Sequence, residues 1–172
     1  GKMTSMIPAI GEALLHIRYM QRDLSLTLSK HLQNWNAPMT LSNDSKNELQ
    51  WWTSWMVKKN GLPIKKLACN QPKATTIYVD ASDLELGVSS CTIQATGAWT
   101  NEESLMSINA KELTAIYFAL KLHAKDFKDQ HIKFFSDNMT ALKYSSKSGG
   151  TASRTLQDLT VKIQELCNQY NL

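Results

Sequence analysis

The chain has 172 residues, 42% hydrophobic and 20% charged, with a formal net charge of +4 at pH 7. This composition excludes a disordered chain and fits one ordinary domain, or one domain plus a helical appendage. No apolar run reaches bilayer-spanning length and the N-terminus has no secretory signature; Cys69, Cys91 and Cys167, odd in number and widely spaced, form neither a disulfide framework nor a zinc pattern. Semi-buried thiols in a reducing, intracellular setting (nucleus or cytoplasm) and no membrane partner are therefore expected.

Charge is unevenly spread along the chain. Residues 1–66 hold nine Lys/Arg against four Asp/Glu, and residues 67–172 hold ten against eleven. A basic first third beside an acid-bearing remainder suits a polyanion partner held next to a metal site, although solubility explains a net charge this small equally well.

Pro8 fits the first position of a helix, and Ala13, Leu14, Ile17, Leu24, Leu28 and Leu32 recur at helical spacing. This predicts one helix from about Pro8 to Gln33, its apolar stripe used for packing. Asn34 to Leu41 reads as a loop interrupted by Pro38. Ser45 and Glu48 have capping-box spacing, so a second helix starts there, carries Trp51, Trp52, Trp55 and Met56, and ends at Asn60-Gly61. Three tryptophans in five residues allow base stacking, but Trp52 and Met56, at i and i+4, are better read as anchors on the following domain. Lys58, Lys59, Lys65 and Lys66 flank the turn and are candidate phosphate contacts, or simply a solvated face.

Leu67 to Ala74 reads as a linker. Strand patterning then begins: a first strand over Thr75–Asp80, a turn at Asp83-Leu84-Glu85, a second strand over Leu86–Gln94, a turn at Ala95-Thr96-Gly97 and a short third strand at Ala98-Trp99. Asn109 caps a helix with Glu112 at its third position and an apolar stripe from Leu113 to Phe127. A fourth strand follows over His131–Ser136, and the crossover helix makes it parallel to the first. A short helix runs from Asp137-Asn138 to about Ser146. A last helix starts at Thr151 or Ser153 after Gly149-Gly150, with Leu156, Leu159, Ile163, Leu166 and Tyr170 on its core face.

Three acids stand at marked places in this order. Asp80 ends the first strand, Glu112 lies in the first turn of the following helix, and Asp137 ends the fourth strand. They are either three unrelated surface acids or a converging group that holds cations, since crowded carboxylates repel unless a cation neutralises them. If the first and fourth strands are parallel neighbours, Asp80 and Asp137 lie together and the crossover helix brings Glu112 to the same spot. Such a group suits two divalent ions about 4 Å apart, and an all-oxygen donor set favours Mg²⁺ or Mn²⁺ over zinc.

Five pieces occur in a telling series: Tyr78-Val79-Asp80-Ala81-Ser82; Gly97-Ala98-Trp99-Thr100 with Glu102-Glu103; Ile108-Asn109-Ala110-Lys111-Glu112-Leu113; Ser136-Asp137-Asn138-Met139-Thr140-Ala141; and Gly149-Gly150-Thr151-Ala152-Ser153. Together they resemble the ribonuclease H domain of reverse transcriptases, most closely that of DIRS-type retrotransposons. The upstream Leu49-Gln50-Trp51-Trp52 and Asn60-Gly61-Leu62-Pro63-Ile64 are similar to the stretch leading into that domain. The resemblance implies an α/β ribonuclease H-like mixed sheet of three antiparallel strands plus a parallel crossover strand. Helices would flank it, with a helical thumb- or connection-like segment over residues 1–66 and the nuclease-like domain over 67–172.

The resemblance further implies hydrolysis of the RNA strand of RNA–DNA hybrids, with a polymerase domain of the same polyprotein as partner. Asp80 would bridge both ions, Glu112 would help hold the one nearer the leaving oxygen, and Asp137 would hold the one activating water. Ser82, Asn109 and Asn138 would lie at the hybrid, which is recognised by groove shape and 2′-hydroxyls.

Two departures stand out. Glu85-Leu86-Gly87 replaces the family's Gly-Trp-Gly, setting an acid and a bulkier turn beside the site. The chain stops at Asn171-Leu172, before the family's fourth carboxylate, and Asp158 and Glu165 are poorly placed as substitutes. These departures keep a second reading open, a weakly active or inactive nucleic-acid-binding or scaffold module of the same fold.

Overall fold

The computed structural model describes residues 2–10, 12–59 and 74–172. They divide into two compact units, Gly1–Leu67 with Gly150–Ser153 and Ala68–Gly149 with Arg154–Leu172. The expected cap at Asn60-Gly61, the linker, Cys69, Lys65 and Lys66 lie outside the described residues, as does the side chain of Lys59.

The first unit contains α1 (Lys2–Met6), α2 (Arg18–Lys30) and α3 (Asn43–Lys59), with 3₁₀ turns at Ile7–Ala9 and Leu15–Ile17. The single helix expected from Pro8 to Gln33 is therefore broken. Pro8 lies in the first 3₁₀ turn, and His16 leaves helical geometry at φ −96°, ψ 32°. The break is held by tertiary structure. Glu48, projecting from α3, accepts the Tyr19 and Met20 amides at 3.0 and 2.9 Å, so it caps the free N–H groups that a fresh helix start exposes. α2 also stops three residues early, where Leu32 and Gln33 take φ of 50° and 63° and Leu32 is 95% exposed.

Glu48 is thus no partner of Ser45 in a capping box. Ser42 precedes α3 and its hydroxyl accepts the Ser45 amide, while Asp23 on α2 accepts both the Ser42 amide and the Ser45 hydroxyl. Trp52 is buried with Ile10, Ala13 and Ile17 and donates its indole N–H to the His16 carbonyl at 2.8 Å; Trp51 stacks on the His16 ring at 3.8 Å. Trp52, expected as an anchor on the following domain, is therefore buried within its own unit, and Met56, expected beside it, is exposed.

The second unit is an α/β layer with a mixed four-stranded sheet in the order β3-β2-β1-β4. Its strands are β1 (Ala74–Ala81), β2 (Glu85–Ser89), β3 (Gln94–Ala98) and β4 (His131–Phe135). β1 pairs antiparallel with β2 and parallel with β4, and β2 pairs antiparallel with β3. This is the ribonuclease H-like arrangement expected. The second and third strands differ in extent from the reading of the sequence. The second strand does not continue to Gln94, because the Ser90 hydroxyl accepts the Thr92 and Ile93 amides and turns the chain there. Ala95-Thr96-Gly97, expected as a turn, lies inside β3. A short helix α4 (Asn101–Ser104) follows, opened by a capping box between Thr100 and Glu103.

Helix α5 (Ile108–His123) packs against β1, α6 (Met139–Ser146) and α7 (Arg154–Tyr170). Alternate residues of β1 and β2, Ile77, Val79, Leu86 and Val88, point toward it and meet Leu113, Ile116 and Leu120 in one core. Burying such a layer is the main driving force for this unit. The opposite face of the sheet carries Tyr78, Asp80, Lys133 and Phe135, all exposed. Of the thiols described, Cys91 is exposed and Cys167 half-buried, and both are free. No described helix is long and apolar enough to cross a membrane.

Candidate functional site

Strand register places the first two acids. Tyr78 pairs with Phe135 at the end of the β1–β4 ladder, and Asp80 and Asp137 each follow two residues later. A two-residue step returns a side chain to the same face, so both carboxylates stand at the same end of adjacent parallel strands. The third acid comes from the opposite layer. Glu112 is buried, and its carboxylate reaches between the two strand ends. Oε1 accepts the Ala81 amide at 3.2 Å and Oε2 accepts the Ser136 hydroxyl at 3.1 Å. Ligand oxygens of Asp80, Glu112 and Asp137 all lie within 4.8 Å of one another.

Glu112 is not in the first turn as a capping partner of Asn109. Ser107 caps α5, its hydroxyl accepting the Ala110 amide, and this moves Glu112 to the fifth helical residue. Such a shift frees Asn109, whose Oδ1 instead accepts the Asn138 side-chain amide at 2.8 Å. Asn138 caps α6 through its own Oδ1, which accepts the Thr140 and Ala141 amides; Asp137 therefore lies before that helix and not within it.

Burial raises the Glu112 pKa above the usual carboxylate range, the bonds from Ser136 and Ala81 pull it back down, and the nearby Asp137 and Asp80 charges push it further up. Three carboxylates this close, one of them buried, repel one another unless positive charge joins them. The donor set is all oxygen and convergent, so the residues fit a hard divalent cation such as Mg²⁺ or Mn²⁺.

The remaining candidate residues are placed as follows. Ser82 is committed to the β1–β2 turn, where its hydroxyl accepts the Leu84 and Glu85 amides. Lys58 is exposed on α3 of the first unit. Glu85 is exposed at the start of β2 but lies outside the group of three acids. Gly87 stands directly opposite Asp80, and a Cβ there would meet nothing within 4 Å, so the surface beside Asp80 is open. Asp158 pairs with Arg154 along α7.

Three residues escaped sequence reasoning. Ser136 orients Glu112, Lys111 holds Asp83, and the Trp99 indole donates to the Ser82 carbonyl at 2.9 Å. Each lies within a stretch of the family resemblance, yet nothing in spacing distinguishes an orienting side chain from a merely neighbouring one.

No family model matches the chain, and no curated protein matches it. Among solved structures, a foamy viral protease-reverse transcriptase in complex with double-stranded DNA is similar at 14% identity with a TM-score of 0.37. The match covers 95% of this chain and 30% of that one. A likeness at this level carries no weight for fold or function, so the reading of the site rests on its own residues.

Proposed function

We propose that the chain is a metal-dependent nuclease module that hydrolyses the RNA strand of RNA–DNA hybrids within a retroelement reverse transcriptase of the DIRS type. The observation that carries this reading is the convergence of Asp80, Glu112 and Asp137, drawn from β1, α5 and the end of β4, to within 4.8 Å. Bound divalent cations supply a water activated at neutral pH and positive charge against a phosphoryl transition state.

The chain's own residues do the rest. Asp80 and Asp137, exposed at the strand ends, present carboxylates to solvent and hence to a backbone phosphate. Glu112 completes the donor set from below, held by Ala81 and Ser136 so that its oxygens cannot turn away. The Asn109–Asn138 pair flanks the acids, and bonding Oδ1 of Asn109 to Asn138 leaves the Asn109 amide N–H₂ as a donor suited to a 2′-hydroxyl or phosphate oxygen. Lys58, with Lys59, Lys65 and Lys66, is the candidate basic contact to the hybrid, and the polymerase domain of the same polyprotein is the expected partner.

The test is cleavage of an end-labelled RNA–DNA hybrid in Mg²⁺ and then Mn²⁺ by the chain and its Asp80→Asn variant. Cleavage by the parent alone is the expected result. Silence from both under both metals would refute catalysis by this chain and favour the binding module.

A further inference from the structure

Lys111 is the buried cation among the described residues. Its side chain is 3% exposed, while its partner Asp83 is 89% exposed. The ammonium donates to Asp83 Oδ1 at 3.0 Å and to the Asp83 carbonyl at 3.3 Å. As a stabilising device this is a poor arrangement. The lysine gives up its hydration, while its partner's charge remains screened by water, so an apolar side chain of similar shape would serve stability as well.

What the bond does is geometric. Consecutive residues of α5 grip the end of β1: Glu112 takes the Ala81 amide and Lys111 holds Asp83 by backbone and side chain. Trp99, the residue after β3, holds the same turn through the Ser82 carbonyl. Asp80 is the residue immediately before this clamped stretch. We propose that Lys111 is a positioning residue for Asp80, fixing the Ser82–Glu85 turn so that the Asp80 carboxylate stays aligned with Asp137 and Glu112. The inference deepens the reading of these acids as a cation site and rests on it.

The test is a Mn²⁺ titration followed by loss of the free-ion EPR signal, with thermal melting alongside. It uses the full chain, Lys111→Met, Asp83→Asn and the double variant. Each single variant should bind Mn²⁺ about tenfold or more weakly, as when other groups that orient a ligand are removed. Asp83→Asn should also melt lower, because it leaves the buried ammonium without its carboxylate. The double variant has no buried charge, so its melting temperature should recover while its Mn²⁺ affinity does not. Unchanged affinity in the single variants, or affinity that recovers together with stability, would overturn the proposal and make Lys111 a packing residue only. A parent chain that binds no Mn²⁺ would remove the cation site itself and this proposal with it, an outcome distinct from the first.

Discussion

Neutralising Glu112 should stabilise the metal-free protein while abolishing its response to metal. The relevant oxygens lie within 4.8 Å. At that separation two unit charges repel by about 0.9 kcal/mol in water and about 3.5 kcal/mol at an effective dielectric of 20. Asp80 and Asp137 are exposed, so the lower figure governs, and Glu112 faces both, giving roughly 2 kcal/mol of repulsion. In Glu112→Gln the amide oxygen can still accept the Ala81 N–H, and its N–H₂ can donate to the Ser136 hydroxyl, so both bonds survive with one reversed.

A net gain of roughly 1–2 kcal/mol, or about 2–8 °C in melting temperature, is expected in EDTA near neutral pH. The sign with pH follows from the raised pKa of Glu112. A carboxyl group that binds its proton more tightly when folded contributes stability that is fully present below its unfolded value of 4.5 and lost as pH rises through the raised folded value. Parent and variant should therefore converge below pH 4.5 and separate above it. Adding Mn²⁺ should reverse the order, because at a hundredfold excess over Kd a ligand adds about 2.7 kcal/mol to the parent and nothing to a variant that cannot bind it. A Glu112→Gln variant that melts below the parent in EDTA would refute the reasoning, since Glu112 would then be a structural acceptor whose charge is not under strain.

Glu48, pushed up to about pH 7 by burial, should make the first unit lose stability as pH rises through 7, read by fluorescence-detected unfolding of Trp52. Glu48→Ala leaves the Tyr19 and Met20 amides uncapped and should lower that unit's stability by roughly 1–2 kcal/mol with loss of helical circular dichroism. Gly149 has φ +83°, and a methyl group there would fall on the side chain of buried Gln157; Gly149→Ala should therefore cost at least about 1–2 kcal/mol in thermal melts. Asn138→Ala removes the cap of α6 and the partner of Asn109, and should cost about 1 kcal/mol in denaturant titrations. It should also weaken hybrid binding in a filter or anisotropy assay.

Much of the second unit was legible because its signals are local. Ile77 and Val79 alternate with Tyr78 and Asp80, and that period of two announces a strand with one buried face and an acid on the other. The crossover helix between β3 and β4 implied that β1 and β4 run parallel, and their adjacency in the sheet brings Asp80 and Asp137 together. The errors arise where a side chain competes with the pattern. Ser90 ends β2 inside a stretch that reads as one continuous strand, and Ser107 displaces Asn109 as the cap of α5. Serine and asparagine are both good caps, and choosing between them depends on what else each side chain can reach.

The sequence by itself determined the alternation of strands and helices, the carriage of three acids on separate elements and the parallel crossover. Each follows from periodicity, chain connectivity and handedness. Only the tertiary structure decided where the first long apolar pattern breaks, because Glu48, some thirty residues away, caps the new helix start. It also decided that Glu112 is held by Ala81 and Ser136 and that Lys111 reaches Asp83. Periodicity reports which face of an element is buried, but the partner of a buried polar group is chosen in three dimensions, where the penalty for leaving it unpaired selects whichever group the fold brings within reach.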